Sequence, residues 1–134
     1  MVSTLNPYVS FNGNAREAME FYQSVLGGEL RLNTFGDSGM PDADPEQIMH
    51  AQLTTPAGFT LMASDTPPGM PYNPGQNIAI SLSGDADAEL RGYWERLSES
   101  GEVAVALEKQ PWGDEFGACT DRFGISWMVD IHEG

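Results

Sequence analysis

The second half of this chain repeats the first, and no other feature constrains the fold as much. Residues 77–97, NIAISLSGDADAELRGYWERL, lie without a gap over residues 6–26, NPYVSFNGNAREAMEFYQSVL, at an offset of 71 (77 − 6). Asn77 then falls on Asn6, Gly84 on Gly13, Asp85 on Asn14 and Tyr93 on Tyr22. Residues 124–131, GISWMVDI, lie over residues 58–65, GFTLMASD, at an offset of 66 (124 − 58), which sets Met128 on Met62. A duplication implies one supersecondary unit used twice, so the topology is read once and applied to both halves.

In the first copy, LNPYVSF (5–11) alternates as a strand does, and NGN turns the chain. Asn14, with Glu17 three residues on, makes a capping-box pattern with Asn in the Ser/Thr place. Ala18, Met19, Tyr22, Val25 and Leu26 recur at three- and four-residue spacing, which predicts a helix from Ala15 to about Leu26, ended by Gly27 and Gly28. Strand-like runs follow over 29–36, 48–55 and 59–65, the last two joined by the turn TPAG (55–58). TPPGMPYNPGQ (66–76) holds four prolines and two glycines and reads as a linker. The expected organisation is one domain over 1–134, with module one at 1–66, the linker at 66–76 and module two at 77–134.

Alternate residues of a strand face opposite sides. Leu5, Pro7, Val9 and Phe11, with Leu61, Ala63, Ile78, Ile80, Leu82, Ile125, Trp127 and Val129, form an apolar set expected to pack under the two helices. The opposite set is small and polar: Asn6, Tyr8, Ser10, His50, Gln52, Thr54, Thr60, Met62, Ser64, Asn77, Ala79, Ser81, Ser126, Met128 and Asp130. Such a face either meets water or lines a concave surface. Tyr8, Met62 and Met128 favour the second. The predicted fold is α+β: two tandem βαβββ modules, their curled mixed sheets forming a cup with the helices on the outer face.

Charge and cysteine content narrow the partners. Twenty acidic residues against six basic ones give a net charge of −14, which opposes binding to nucleic acid or to an anionic membrane surface. The acids in DADPE (42–46), DADAE (85–89) and SESGE (98–102) read as a solvated coat, with a cation store as the sharper alternative. Cys119 is the only cysteine, no apolar run approaches the ~20 residues of a membrane span, and the N-terminal residues lack a signal-peptide pattern. A cytoplasmic protein is expected.

PYVSFNGNAREAMEFYQSVLGGEL (7–30), IMHAQL (48–53), LMASD (61–65) and QPWGDEFGACTDRFGISWMV (110–129) together resemble the PhnB-like branch of the vicinal oxygen chelate superfamily, which includes glyoxalase I, bleomycin-resistance proteins and extradiol dioxygenases. The resemblance implies a homodimer with a small-molecule ligand in the cup. In metal-dependent relatives four inward side chains hold a divalent ion; the matching positions here are Asn6, Gln52, Asn77 and Met128. Three carboxamides and a thioether are poor ligands for zinc, nickel or iron, so no metal or other cofactor is expected there. The methyltransferase label of this branch has no counterpart in a glycine-rich adenosylmethionine loop, so methyl transfer is not expected either.

Among the individual side chains, His50 reads as a general base or a hydrogen-bond donor to a ligand, or as a structural histidine bonded to a neighbouring strand. Asp130 is its candidate acid partner, and His132 lies near the end of the chain. Cys119 reads as a small buried apolar residue, since no motif supplies an activating base. Trp127 and Phe123 are expected in the core, while Trp112 and Phe116 wall the ligand, with Met70 and Tyr72 as the opposite lip. Asn6, Tyr8, Gln52, Met62, Asn77, Trp112, Phe116 and Met128 are thus the candidate cavity residues and His50 the candidate catalytic one. The expected function is a metal-free small-molecule-binding homodimer, the alternative being a lyase, isomerase or dioxygenase that uses His50 or a non-standard metal site.

Overall fold

A computed structural model describes residues 3–132. The elements run β1 (Tyr8–Phe11), α1 (Ala15–Leu26), β2 (Glu29–Thr34), β3 (Ile48–Thr54), β4 (Thr60–Asp65), β5 (Ile80–Gly84), α2 (Asp87–Glu99), β6 (Glu102–Lys109), β7 (Glu115–Thr120) and β8 (Ser126–Ile131). The fold is the α+β arrangement of two βαβββ modules. The chain divides into two units, 1–74 and 75–134. The first holds an open sheet in the order β1-β4-β3-β2 and the second one in the order β5-β8-β7-β6. In both, the first strand runs parallel to the last and the other pairs are antiparallel.

In the first unit, α1 buries Ala15, Ala18, Met19, Tyr22, Val25 and Leu26, the stripe that its apolar spacing dictates. It lies across β2, β3 and β4. The sheet contributes Phe11, Ile48, Ala51, Leu53, Leu61 and Ala63 to the core. In the second unit, α2 buries Leu90, Tyr93, Trp94 and Leu97, and Leu82, Cys119, Trp127, Val129 and Ile131 are buried in its sheet. Burying each of the large apolar side chains contributes roughly 1.5–3 kcal/mol.

The start of α1 differs from the capping-box expectation. Asn14 occupies the cap position but its side chain makes no capping hydrogen bond. Asp65, at the end of β4 and 1% exposed, takes that role. Its Oδ1 accepts from the amides of Gly13 and Ala15, each at 2.9 Å, and its Oδ2 from the amide of Ile48 at 2.9 Å. A carboxylate can satisfy several orphan amides at once and suits the positive end of the helix dipole, which a short Asn side chain does less well.

The first strand of each unit is shorter than expected. Leu5 is 99% and Ile78 81% exposed, so neither packs under a helix. The β1 ladder begins at Tyr8↔Met62, with the Met62 amide donating to the Pro7 carbonyl. Continued in that register, Asn6 falls opposite Thr60, the first residue of β4, and the residues before Asn6 lie past the end of the partner strand. Phe123 is also outside the core: it is half-buried in the β7–β8 turn, with the Arg122 guanidinium 4.8 Å from its ring centroid.

The repeat holds, with one correction to its alignment. The β3–β4 and β7–β8 hairpins match at the offset of 66 read from sequence, down to the paired turn bonds Thr55 N to Phe59 O and Asp121 N to Ile125 O. Met62 pairs with Tyr8, whereas Met128 pairs with Ser81, so the first strands are equivalent at an offset of 73 (81 − 8) rather than 71. The connection from strand to helix is one residue shorter in the second unit: residues 12–14 join β1 to α1, and 85–86 join β5 to α2.

Candidate functional site

Each sheet turns one side to its helix and leaves the other half-exposed, as the alternating burial of β3, β4 and β8 shows. In the first unit the half-exposed side carries Tyr8, Met62, Gln52 and Arg31 in one ladder row, with His50 and Asn33 paired in the next. The Tyr8 hydroxyl lies 3.4 Å from His50 Nδ1, and the two rings are tilted with centroids 5.8 Å apart. Gln52 Nε2 donates to Thr54 Oγ1 at 3.5 Å. Strand alternation thus brings four of the sequence-predicted residues, Tyr8, His50, Gln52 and Met62, onto one surface.

In the second unit Met128 pairs with Ser81 and Ala118, and Asp130 with Ser83 and Phe116, on the equivalent side. Trp112 sits in the turn before β7, 60% exposed, with its ring edge-on to Phe116 at 6.0 Å. This is a favourable aromatic geometry, and more than half of the Trp112 surface stays exposed. Asn6 and Asn77 lie ahead of β1 and β5, and Asn6 Nδ2 donates to Thr4 Oγ1 at 2.9 Å. Continued to them, the offset of 73 sets Asn6 against Ala79 and Asn77 against Thr4, so the two asparagines are not equivalent. The set Asn6, Gln52, Asn77 and Met128 therefore does not fit a divalent ion: it has no charged donor and no imidazole, and its two asparagines do not hold matching places.

Met70 and Tyr72 are exposed in the segment without helix or strand that follows β4. Cys119 is buried on β7, where desolvation, then the charge of Asp121, pushes its thiol up to about 11. That is the opposite of nucleophile activation.

One constellation escaped the sequence reading. Asp114, in the turn before β7, Asp130 on β8 and His132 just after it converge. His132 Nδ1 is 3.1 Å from Asp114 Oδ2 and 3.9 Å from Asp130 Oδ1. Burial, then hydrogen bonding and repulsion from Asp114, raises the Asp130 carboxyl above its ordinary range, against the pull of His132. Within the second unit Asp130 is therefore faced by Asp114 and His132. The signal in sequence was the D-x-H spacing on a strand, which sets both side chains on one side. Alongside lies a cleft of about 310 Å³ lined by Asp87, Arg91, Lys109, Gly113, Glu115, Ile131 and His132, with Arg91 ion-paired to both Asp87 and Glu115.

The described residues contain no helix long and apolar enough to cross a membrane. Residues 3–130 match the family described as 3-demethylubiquinone-9 3-methyltransferase. Protein YjdN of Escherichia coli is 32% identical, over 95% of this chain and 94% of its own. The crystal structure of protein PA1353 from Pseudomonas aeruginosa superposes with a TM-score of 0.89 at 41% identity, covering 99% of this chain and all of that one (100%). A glyoxylase/bleomycin resistance protein/dioxygenase domain from Frankia shares the fold at a TM-score of 0.68 and 14% identity, over 99% of each chain. The chain belongs to the PhnB-like family described as 3-demethylubiquinone-9 3-methyltransferase and is built on the glyoxalase/bleomycin-resistance/dioxygenase fold.

Proposed function

We propose that the chain is a small-molecule-binding homodimer of the glyoxalase/bleomycin-resistance type, which holds an organic ligand on its half-exposed sheet sides without a metal at the positions that carry one in metal-dependent relatives. The observation behind this reading is the composition of those sides. Tyr8, Met62, Phe116, Met128 and Trp112 supply apolar and aromatic surface, while His50, Gln52 and Asn33 supply a few polar groups to fix orientation. Binding sites for small organic molecules commonly combine these two ingredients. Methyl transfer, named in the family description, is not part of the proposal, because the chain has no glycine-rich loop for adenosylmethionine.

A second reading makes the protein a metal-free isomerase or lyase with His50 as base. The approach of the Tyr8 hydroxyl to His50 Nδ1 favours it, since the pair could pass a proton to and from a bound substrate.

Native mass spectrometry of freshly purified protein tests the main reading. A dimer, bare or with an organic adduct, is the expected result. A monomer, or a stoichiometric divalent ion that is lost on His50→Ala, would overturn it in favour of a metalloenzyme.

A further inference from the structure

One ladder row of the first sheet crosses all four strands with a graded chemistry. From β2 to β1 it runs Arg31, Gln52, Met62 and Tyr8: a cation, a carboxamide, a thioether and a phenol. Neighbouring strands stand about 4.8 Å apart, so the two ends of the row are separated by about 14 Å, the length of a medium-sized organic molecule. Tyr8 is 51% exposed and the Arg31 side chain 79%, so both ends meet solvent.

Charge sets this row apart from the rest of the surface. The chain carries twenty acidic residues and six basic ones. Yet among the described residues of β1–β4 on this side, Glu29 is the only carboxylate, and its Oε1 lies 3.5 Å from Arg31 Nε. The side chains that flank Arg31 on β2 and β3 are the carboxamides of Asn33 and Gln52. A guanidinium beside carboxamides offers several N–H donors to a carboxylate, and the planar fork of arginine matches that group in shape. Met62 and the Tyr8 ring, at the other end, suit an apolar or aromatic body.

We propose that this row binds an organic acid lengthwise, its carboxylate at Arg31 and Gln52 and its apolar or aromatic body over Met62 and Tyr8. The inference rests on the ligand reading above and narrows it to one ligand class, one sheet and one orientation. The net charge of −14 does not oppose it, because salt screens exposed charges farther away than about 8 Å at physiological ionic strength and leaves local contacts to decide.

The test is an NMR titration of the isotope-labelled full chain with a matched pair of probes, 4-phenylbutyrate and its neutral amide, 4-phenylbutyramide. The acid should bind about fivefold more tightly than the amide, the most that an exposed ion pair usually contributes. Arg31→Gln should bring the two probes to within about twofold of each other, with the amide bound as before. Arg16→Gln removes the same charge from an exposed place on α1 and should leave the preference for the acid intact. Tyr8→Ala should weaken both probes alike. Thermal melts of the two arginine variants, both altered at exposed side chains, should match wild type. Equal binding of acid and amide, a preference that survives Arg31→Gln, or an equal loss in both arginine variants overturns this inference and leaves the ligand reading standing. Absence of saturable binding by either probe overturns both.

Discussion

The carboxylate of Asp65 accepts a hydrogen bond from the backbone amide of Ala15 at 2.9 Å, fifty residues away in sequence, and so joins the end of β4 to the start of α1. The same side chain serves Gly13 and Ile48. Asp65→Ala strands three amides, each worth roughly 1–3 kcal/mol when buried without a partner. Asp65→Asn keeps the shape but turns one acceptor into a donor facing an amide. The expected order of stability is wild type, then Asn, then Ala, with the Ala variant lower by about 3 kcal/mol or more in urea unfolding at unchanged slope. An Asn variant within about 0.5 kcal/mol of wild type would show that the cap is dispensable.

Asp121 plays the corresponding part in the second hairpin. It accepts from the amides of Phe123 and Ile125 at 2.8 and 3.1 Å and from the Trp127 indole at 2.8 Å. In the first hairpin Thr55 holds this place and bonds the Phe59 amide at 3.0 Å. Asp121→Thr should therefore keep the turn but release the indole. The expected result is a loss of about 1–3 kcal/mol and a changed near-ultraviolet circular dichroism signal from Trp127. An unchanged spectrum would mean that packing alone fixes the ring.

How much of this was legible in the sequence depends on whether a feature is local. The bounds of α1 follow from apolar spacing and the glycines after it, and the hairpins from TPAG and DRFG, because each signal lies within the segment it shapes. The placing of Tyr8, His50, Gln52 and Met62 on one side followed from strand alternation. The Asp65 cap was not legible, since Asn14 offered a local candidate and the true partner is distant. The offset of 71 matched Tyr22 to Tyr93, but ladder bonds, not side-chain likeness, fix strand equivalence. The group at Asp114, Asp130 and His132 needed the β7–β8 register to be seen at all.

Gly28 and Gly101 precede β2 and β6 at the offset of 73 found for the first strands (101 − 28). A Cβ on Gly28 would stand 2.2 Å from the Thr54 carbonyl oxygen, and one on Gly101 2.0 Å from that of Thr120. Backbone cannot yield as a flexible side chain can. Alanine at either place should cost about 1–3 kcal/mol or more in thermal or urea unfolding. Gly92→Ala, in α2 with nothing within 4 Å of the new methyl, should instead be neutral or stabilising by up to about 1 kcal/mol. Equal effects at Gly101 and Gly92 would contradict the close approach.

The buried Cys119 gives a pH-dependent test. Its thiol ordinarily titrates at 9.0 and is pushed up to about 11, first by desolvation and then by Asp121. The folded state therefore holds this proton more tightly than the unfolded state. Its contribution to stability is complete below about pH 9 and is lost as pH rises towards 11. Tyr93, pushed up to about 12 by burial and by Glu89, titrates nearby, so the comparison is with Cys119→Ala. The difference in unfolding midpoint between the two proteins should shift against wild type across that window. At pH 8 a disulfide reagent should label the native thiol only at the rate of opening, and rapid labelling would show an exposed, ionised sulfur.

Trp112 separates binding from folding. It is 60% exposed and touches Phe116 edge-on, whereas Trp94 and Trp127 are 8% and 1% exposed. Trp112→Ala should change stability by less than about 1 kcal/mol. It should also remove most of the fluorescence that acrylamide quenches readily. If the half-exposed side of this sheet holds the ligand, the same variant should weaken affinity for any compound that copurifies with the protein by tenfold or more, measured by titration of the stripped chain. A large stability loss with unchanged affinity would place Trp112 among the structural aromatics and remove it from the proposed ligand surface.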